Sequence, residues 1–208
     1  MKMKKIIIFS FIIKLITFGI FLLVYSIFPN TTVEQYNSVA YIAHLNGMPL
    51  SLDKYKLYLR SQVHYFENTG GSIIWDTNMY GMTSREVVKR HALDSFILVF
   101  LTNQLTSHPY IEGLTQEELD EAEEQAFIIW NGMTPREQDI FNIEVIRSVV
   151  EDTVLHSNIR EYITQNYVEH QREQIFLSMF SEWREESDIV INFETWDAID
   201  INDFRPEL

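Results

Sequence analysis

The sequence predicts a mainly α-helical chain: an N-terminal transmembrane helix, then one helical domain closed by a small β-clasp. Three observations carry that expectation. Residues 6–28 form an apolar run preceded by lysines; a helix-start signature recurs three times between 81 and 137; and short strand-like stretches at 39–45 and 188–192 bracket the helical part. About 180 residues remain beyond the apolar run, enough for one sizeable core.

At ~1.5 Å per residue, the 6–28 run is long enough to cross a ~30 Å hydrocarbon core. Lys2, Lys4 and Lys5 precede it, and after Lys14 the next basic residue is Lys54. The positive-inside bias therefore puts the N-terminus in the cytoplasm and everything after Pro29 outside. Lys14 inside the run costs only ~3 kcal/mol on insertion scales, which the surrounding Ile and Leu offset. Val24-Tyr25-Ser26 roughly fits a small-x-small cleavage site, but the run exceeds the ~7–15 residues of a usual signal-peptide core. The expected organisation is a basic start and signal anchor at 1–29, a polar linker at 30–38 and a folded domain at 39–208. It is expected in the cell membrane as a single-pass protein with an extracytoplasmic domain, or secreted if the signal is cleaved.

Composition narrows the classes. With 46% hydrophobic and 13% aromatic residues the chain is expected to fold. All 30 acids lie beyond residue 29, with 12 of the 16 Lys and Arg residues, a formal charge of −18 for that part. Binding of nucleic-acid phosphates is thereby disfavoured. The chain has no cysteine, which excludes disulfides, thiolate metal sites, a cysteine nucleophile and a lipid anchor on an N-terminal cysteine.

Asn46-Gly47 is a turn signal, because both residues tolerate positive φ. Pro49 keeps Met48 extended, and Ser51 caps a helix expected over 51–66, with Asp53 in its first turn. Residues 67–71 end that helix, and 72–81 read as an ordered loop. The recurring signature is Gly-apolar-Thr-x-x-Glu, at 81–86, 113–118 and 132–137. In each, the threonine can cap a helix and the glutamate can reach back to the threonine amide. Val87 and Leu119 suit a hydrophobic staple, whereas Gln138 does not, and Pro135 compensates at the first helical position. Helices are expected over 84–107, 116–131 and from 135 onward. The last is the longest, with a possible break near Asn142 or Asn158. Ile189-Val190-Ile191 then reads as a strand whose partner is 39–45.

The search for chemistry yields no convincing active site. None of the six histidines forms an i, i+4 pair, so no metal site is expected. Glu117, Glu118, Asp120, Glu121, Glu123 and Glu124 fall in the first turns of a helix, where acids suit the dipole. Asp197, Asp200, Asn202 and Asp203 hint at a calcium loop, but the bend glycine and distal glutamate are missing. Gly70-Gly71 lacks a Lys-Ser/Thr sequel, and no GxSxG elbow occurs. There is instead a surplus of aromatics in expected loops and helix ends: Tyr65, Phe66, Trp75, Tyr80, Trp130, Phe180 and Trp183. Such residues suit adaptable contact with apolar peptides, or else form the core.

Ile42-Ala43-His44-Leu45-Asn46-Gly47-Met48-Pro49-Leu50-Ser51, followed by Tyr55, resembles the opening of the SurA/PrsA-type extracytoplasmic foldases, in their N-terminal chaperone domain. His91-Ala92-Leu93-Asp94-Ser95-Phe96-Ile97, the 113–120 segment, and Trp183-Arg184 with Ile189-Val190-Ile191-Asn192 resemble later segments of the same domain, in the same order. The resemblance covers about 40–200 and implies a SurA N-terminal-like helical domain. Full members insert a parvulin-type prolyl isomerase domain before the last helix; here 127–183 holds only helical sequence. The resemblance thus implies a membrane-anchored chaperone or foldase-like protein that binds unfolded or exported polypeptides without catalysis or cofactor, through the aromatics named above. The alternatives are a foldase with residual peptidyl-prolyl isomerase activity, or a dedicated partner of one secreted peptide or membrane complex.

Overall fold

Tyr41–Leu45 (β1) turns back through Asn46 and Gly47 into Met48–Ser51 (β2). The computed structural model describes residues 40–79, 81–107 and 111–205; the expected membrane segment, the linker and Tyr80 lie outside them. Asn46 and Gly47 have φ of 52° and 79°, the left-handed pair a two-residue hairpin turn requires. The turn is where the sequence places it, but the chain does not then run straight into the helix. It forms a second strand, with Leu45 opposite Met48 and Ala43 opposite Leu50. Pro49 stands opposite His44, between the hydrogen-bonded pairs, so its missing N–H points away from β1 and blunts that sheet edge.

Ile189–Ile191 (β5) pairs antiparallel with the other side of β1, giving the order β2-β1-β5. The expected clasp between the two ends of the helical part is therefore present. Asn46 fastens it. Its backbone N–H donates to the Asp188 carbonyl at 2.8 Å, and its side-chain Oδ1 accepts from the Asp188 N–H at 2.8 Å.

Leu52–Gly70 (α1) starts at Ser51, whose hydroxyl accepts from the Lys54 N–H at 3.4 Å. It runs a turn past the expected end and stops at Gly71, whose φ of 65° is a left-handed exit. The expected loop after it holds a 3₁₀ turn, Ser72–Asp76, and a small ribbon of Asn78–Met79 (β3) with Met82–Thr83 (β4). Then come Ser84–Asn103 (α2), Gln116–Asn131 (α3), Pro135–Ile140 (α4), Ile143–Thr164 (α5), Glu169–Glu185 (α6) and, after β5, Phe193–Ala198 (α7). The described residues are thus mainly helical, with a three-stranded sheet.

All three recurring threonines cap as expected. At Thr115 and Thr134 the box is complete, with Glu118 and Glu137 accepting from the threonine N–H at 2.7 and 2.8 Å. At Thr83 it is half formed, because Glu86 turns to Arg90 and to the Trp196 indole instead. Thr115→Ala is expected to cost about 1 kcal/mol, measured by urea unfolding, with a smaller loss for Thr115→Gly.

The single long helix expected from 135 onward is instead three helices. Phe141 is extended and Asn142 caps α5 through the Glu144 N–H at 2.9 Å, at one of the two expected break points. The second break is at 165–168 rather than at Asn158. There Tyr167 N–H closes a turn on the Thr164 carbonyl, and Val168 starts α6 without a side-chain cap. No Gly or Pro marks that turn, so helical periodicity runs through it unbroken.

The core gathers Ile42, Leu45 and Leu50 from the sheet, Leu59 and Val63 from α1, Val88 and Ile97 from α2, Ile146 from α5, and Trp196 and Phe204. Helix α5 is the hub, packing against α3 on one side and α2 and α1 on another. Helix α3 buries only two small residues, Ala122 and Ala126. Helix α6 buries Phe176, which meets the His156 ring edge-on and lies under the Arg160 guanidinium.

Candidate functional site

The seven aromatics singled out in the sequence do not share one surface. Phe66 and Trp75 belong to the core, and Trp130 and Phe180 pack partly buried against it. Trp183 is half-buried on α6, edge-on to Phe176. Tyr65 is 63% exposed and available to solvent. Tyr80 lies outside the described residues. Phe66 and Trp75 could meet a ligand only if the core opened.

A half-buried polar strip follows one face of α1, at Arg60, His64 and Glu67. Arg60 Nε donates to Glu137 Oε1 at 2.5 Å, pinning the start of α4 to α1. Glu137 is only 5% exposed. Burial pushes its carboxyl up, but hydrogen bonds from Arg60 and the Thr134 amide outweigh that and hold it below the usual carboxylate range. Glu67 Oε1 accepts from the Trp75 indole at 3.3 Å and from Arg205 at 2.8 Å, and the Arg205 guanidinium also lies over the Trp75 ring. The strip ties the 3₁₀ turns and α4 to α1. Arg60 pairs with Glu137 and Arg205 with Glu67, which gives the strip a structural role, although Glu67 Oε2 is left without a hydrogen-bond partner.

His64 Nε2 lies 3.5 Å from Glu137 Oε1 yet has no hydrogen-bond partner. Burial, with Arg60 beside it, holds its pKa below the ordinary value; attraction to Glu137 opposes this and loses. His156 is lowered by burial and by Arg160. Both imidazoles thus bind protons more readily in the unfolded chain. Stability is expected to be full above about pH 6.5 and to fall as pH drops below it. Thermal melts between pH 7.5 and 5 check this, and His64→Asn combined with His156→Asn should flatten the slope.

The side chains that face solvent and are apolar lie elsewhere. On α3, Phe127 is 57% exposed, Ile128 54% and Ile129 37%. A groove of about 360 Å³ runs between α3 and α5, with Ala126, Phe127 and Ile143 as its apolar lining and Asp120, Glu123, Glu124 and Glu144 around it. Near the α5–α6 turn, Tyr162, Tyr167 and Val168 are also exposed, as is Leu177 midway along α6. The 127–129 run is not among the aromatics and motifs singled out in the sequence.

Among the described residues no three His, Cys, Asp or Glu side chains are grouped to hold a metal ion. Asp200, from the suspected calcium loop, instead accepts from the Asn202 N–H at 2.9 Å and caps a 3₁₀ turn. Also among them, no helix is long and apolar enough to cross a membrane. What fold and site define is a mainly helical domain with a three-stranded clasp and exposed apolar helix surfaces. No family model, curated protein or solved structure matches the chain.

Proposed function

We propose that this chain is a membrane-tethered, extracytoplasmic chaperone-like protein that holds unfolded or exported polypeptides without catalysis. The supporting observation is the exposure of Phe127, Ile128 and Ile129 on α3, with Phe127 lining the α3–α5 groove, and of Tyr162, Tyr167 and Val168 near the α5–α6 turn. Apolar side chains in such positions cost solubility unless they are covered part of the time, and they bind other apolar segments loosely. The sequence resemblance to foldase chaperone domains points the same way, as does the missing isomerase insert. Binding is shallow and broad, since an open groove with few directed hydrogen-bond donors selects weakly.

The test uses the full chain in nanodiscs and a chemically denatured client. Suppressed client aggregation at near-stoichiometric amounts is expected, lost on Phe127→Ser with Ile128→Ser. Undiminished aggregation overturns the proposal. Acceleration of a proline-peptide isomerisation would favour a residual isomerase instead, and recovery of one stoichiometric partner would favour a dedicated escort.

A further inference from the structure

We infer that the α3–α5 groove selects cationic apolar segments: a bulky apolar side chain against Ala126, Phe127 and Ile143, with flanking Lys or Arg facing Asp120, Glu123 and Glu124. This rests on the polypeptide-holding function proposed above and names the class of segment it takes.

The apolar part is set by how α3 packs. Ala122 and Ala126 face α5, and such small residues let the two helices approach closely. Phe127 then sits at the rim of the contact, and Ile143 at the start of α5 continues the same apolar lining. A segment laid there would cover side chains that solvent now reaches.

The charge is one-sided. Helix α3 carries Glu117, Glu118, Asp120, Glu121, Glu123 and Glu124, and neither Lys nor Arg. The basic residue lining the groove, Arg147, is already spent among Glu144 at 2.9 Å, Glu151 at 3.5 Å and Glu123 at 4.0 Å. A Lys or Arg beside the docked apolar residue gains these carboxylates at contact range, and an acidic neighbour is repelled, which is how weak sites discriminate. Each exposed pair adds little, so preference comes from several acids acting together. The same charge disfavours an anionic lipid surface as the occupant.

The experiment uses the full chain in zwitterionic nanodiscs and fluorescence anisotropy of labelled, unstructured peptides. The peptides share one apolar centre and differ in having Lys or Glu on both sides. The Lys-flanked peptide is expected to bind about tenfold tighter at low ionic strength, with the advantage shrinking in about 0.5 M salt as the charges are screened. Asp120→Asn, Glu123→Gln and Glu124→Gln together change only exposed positions. They should remove the preference while the far-ultraviolet circular dichroism stays unchanged. Phe127→Ser should weaken both peptides. Equal binding of the two peptides, or a preference that survives the triple substitution, overturns the selectivity and leaves the holding function standing. If neither peptide binds, both fall.

Discussion

Glu137→Ala is expected to destabilise the domain by about 3–5 kcal/mol in urea unfolding. Two roles are lost at once. The carboxylate closes the capping box of α4 by accepting from the Thr134 N–H, and it is the ion-pair partner of Arg60, whose side chain is 18% exposed. Removing one member of a buried pair leaves the other charged and desolvated, which is the larger part of the cost. Glu137→Gln should fall between, because an amide oxygen still accepts from Thr134 but does not neutralise Arg60. Arg60→Met with Glu137→Leu should recover much of the loss, since apolar residues can replace a buried pair at little cost. A loss below 1 kcal/mol for Glu137→Ala would mean that Arg60 finds water or another carboxylate.

Phe176→Ala carries an effect of similar size but a different signature. A buried phenylalanine truncated to alanine costs about 3–5 kcal/mol. Phe176 is 1% exposed and is the buried residue of α6. Its ring fills the space between His156 and Trp183, beneath Arg160, which also pairs with Glu173 across the two helices. Much of the loss should therefore appear as local opening. Hydrogen exchange is expected to speed up over 169–185 while α1 and α2 keep their protection. Equal loss of protection in α2 would show that α6 is not a separable unit.

The features legible in the sequence were those with local causes. Thr115 and Thr134 announce helices because their capping partners lie three residues away, and Asn46-Gly47 announces its turn by backbone tolerance alone. The strand at 189–191 followed from its β-branched residues, and its pairing with 41–45 from a short apolar stretch at the other end of a helical chain. Strand β2 was not legible, because Pro49 argues against a strand until its edge position is known. The break at 165–168 was hidden because Val168 offers no capping side chain. The site was read least well. Phe66 and Trp75 attract notice by their chemistry, but neighbours distant in sequence bury them. Phe127, Ile128 and Ile129 stay exposed although apolar, since the residues α3 buries are the small Ala122 and Ala126.

The clasp has a consequence for the order in which the domain can form. Asn46 and Asp188 are 142 residues apart, yet β1 is the middle strand and needs β5 to be paired on both sides. An isolated two-stranded hairpin is marginal in water. At about 5–20 residues per second of synthesis, β1 waits roughly 7 to 30 s for its second partner to leave the ribosome. During that interval the β1–β2 hairpin presents an unpaired edge while the helices fold behind it. Closing the clasp is thus a late step, and chains released before residue 188 should remain open to proteolysis near their first strand.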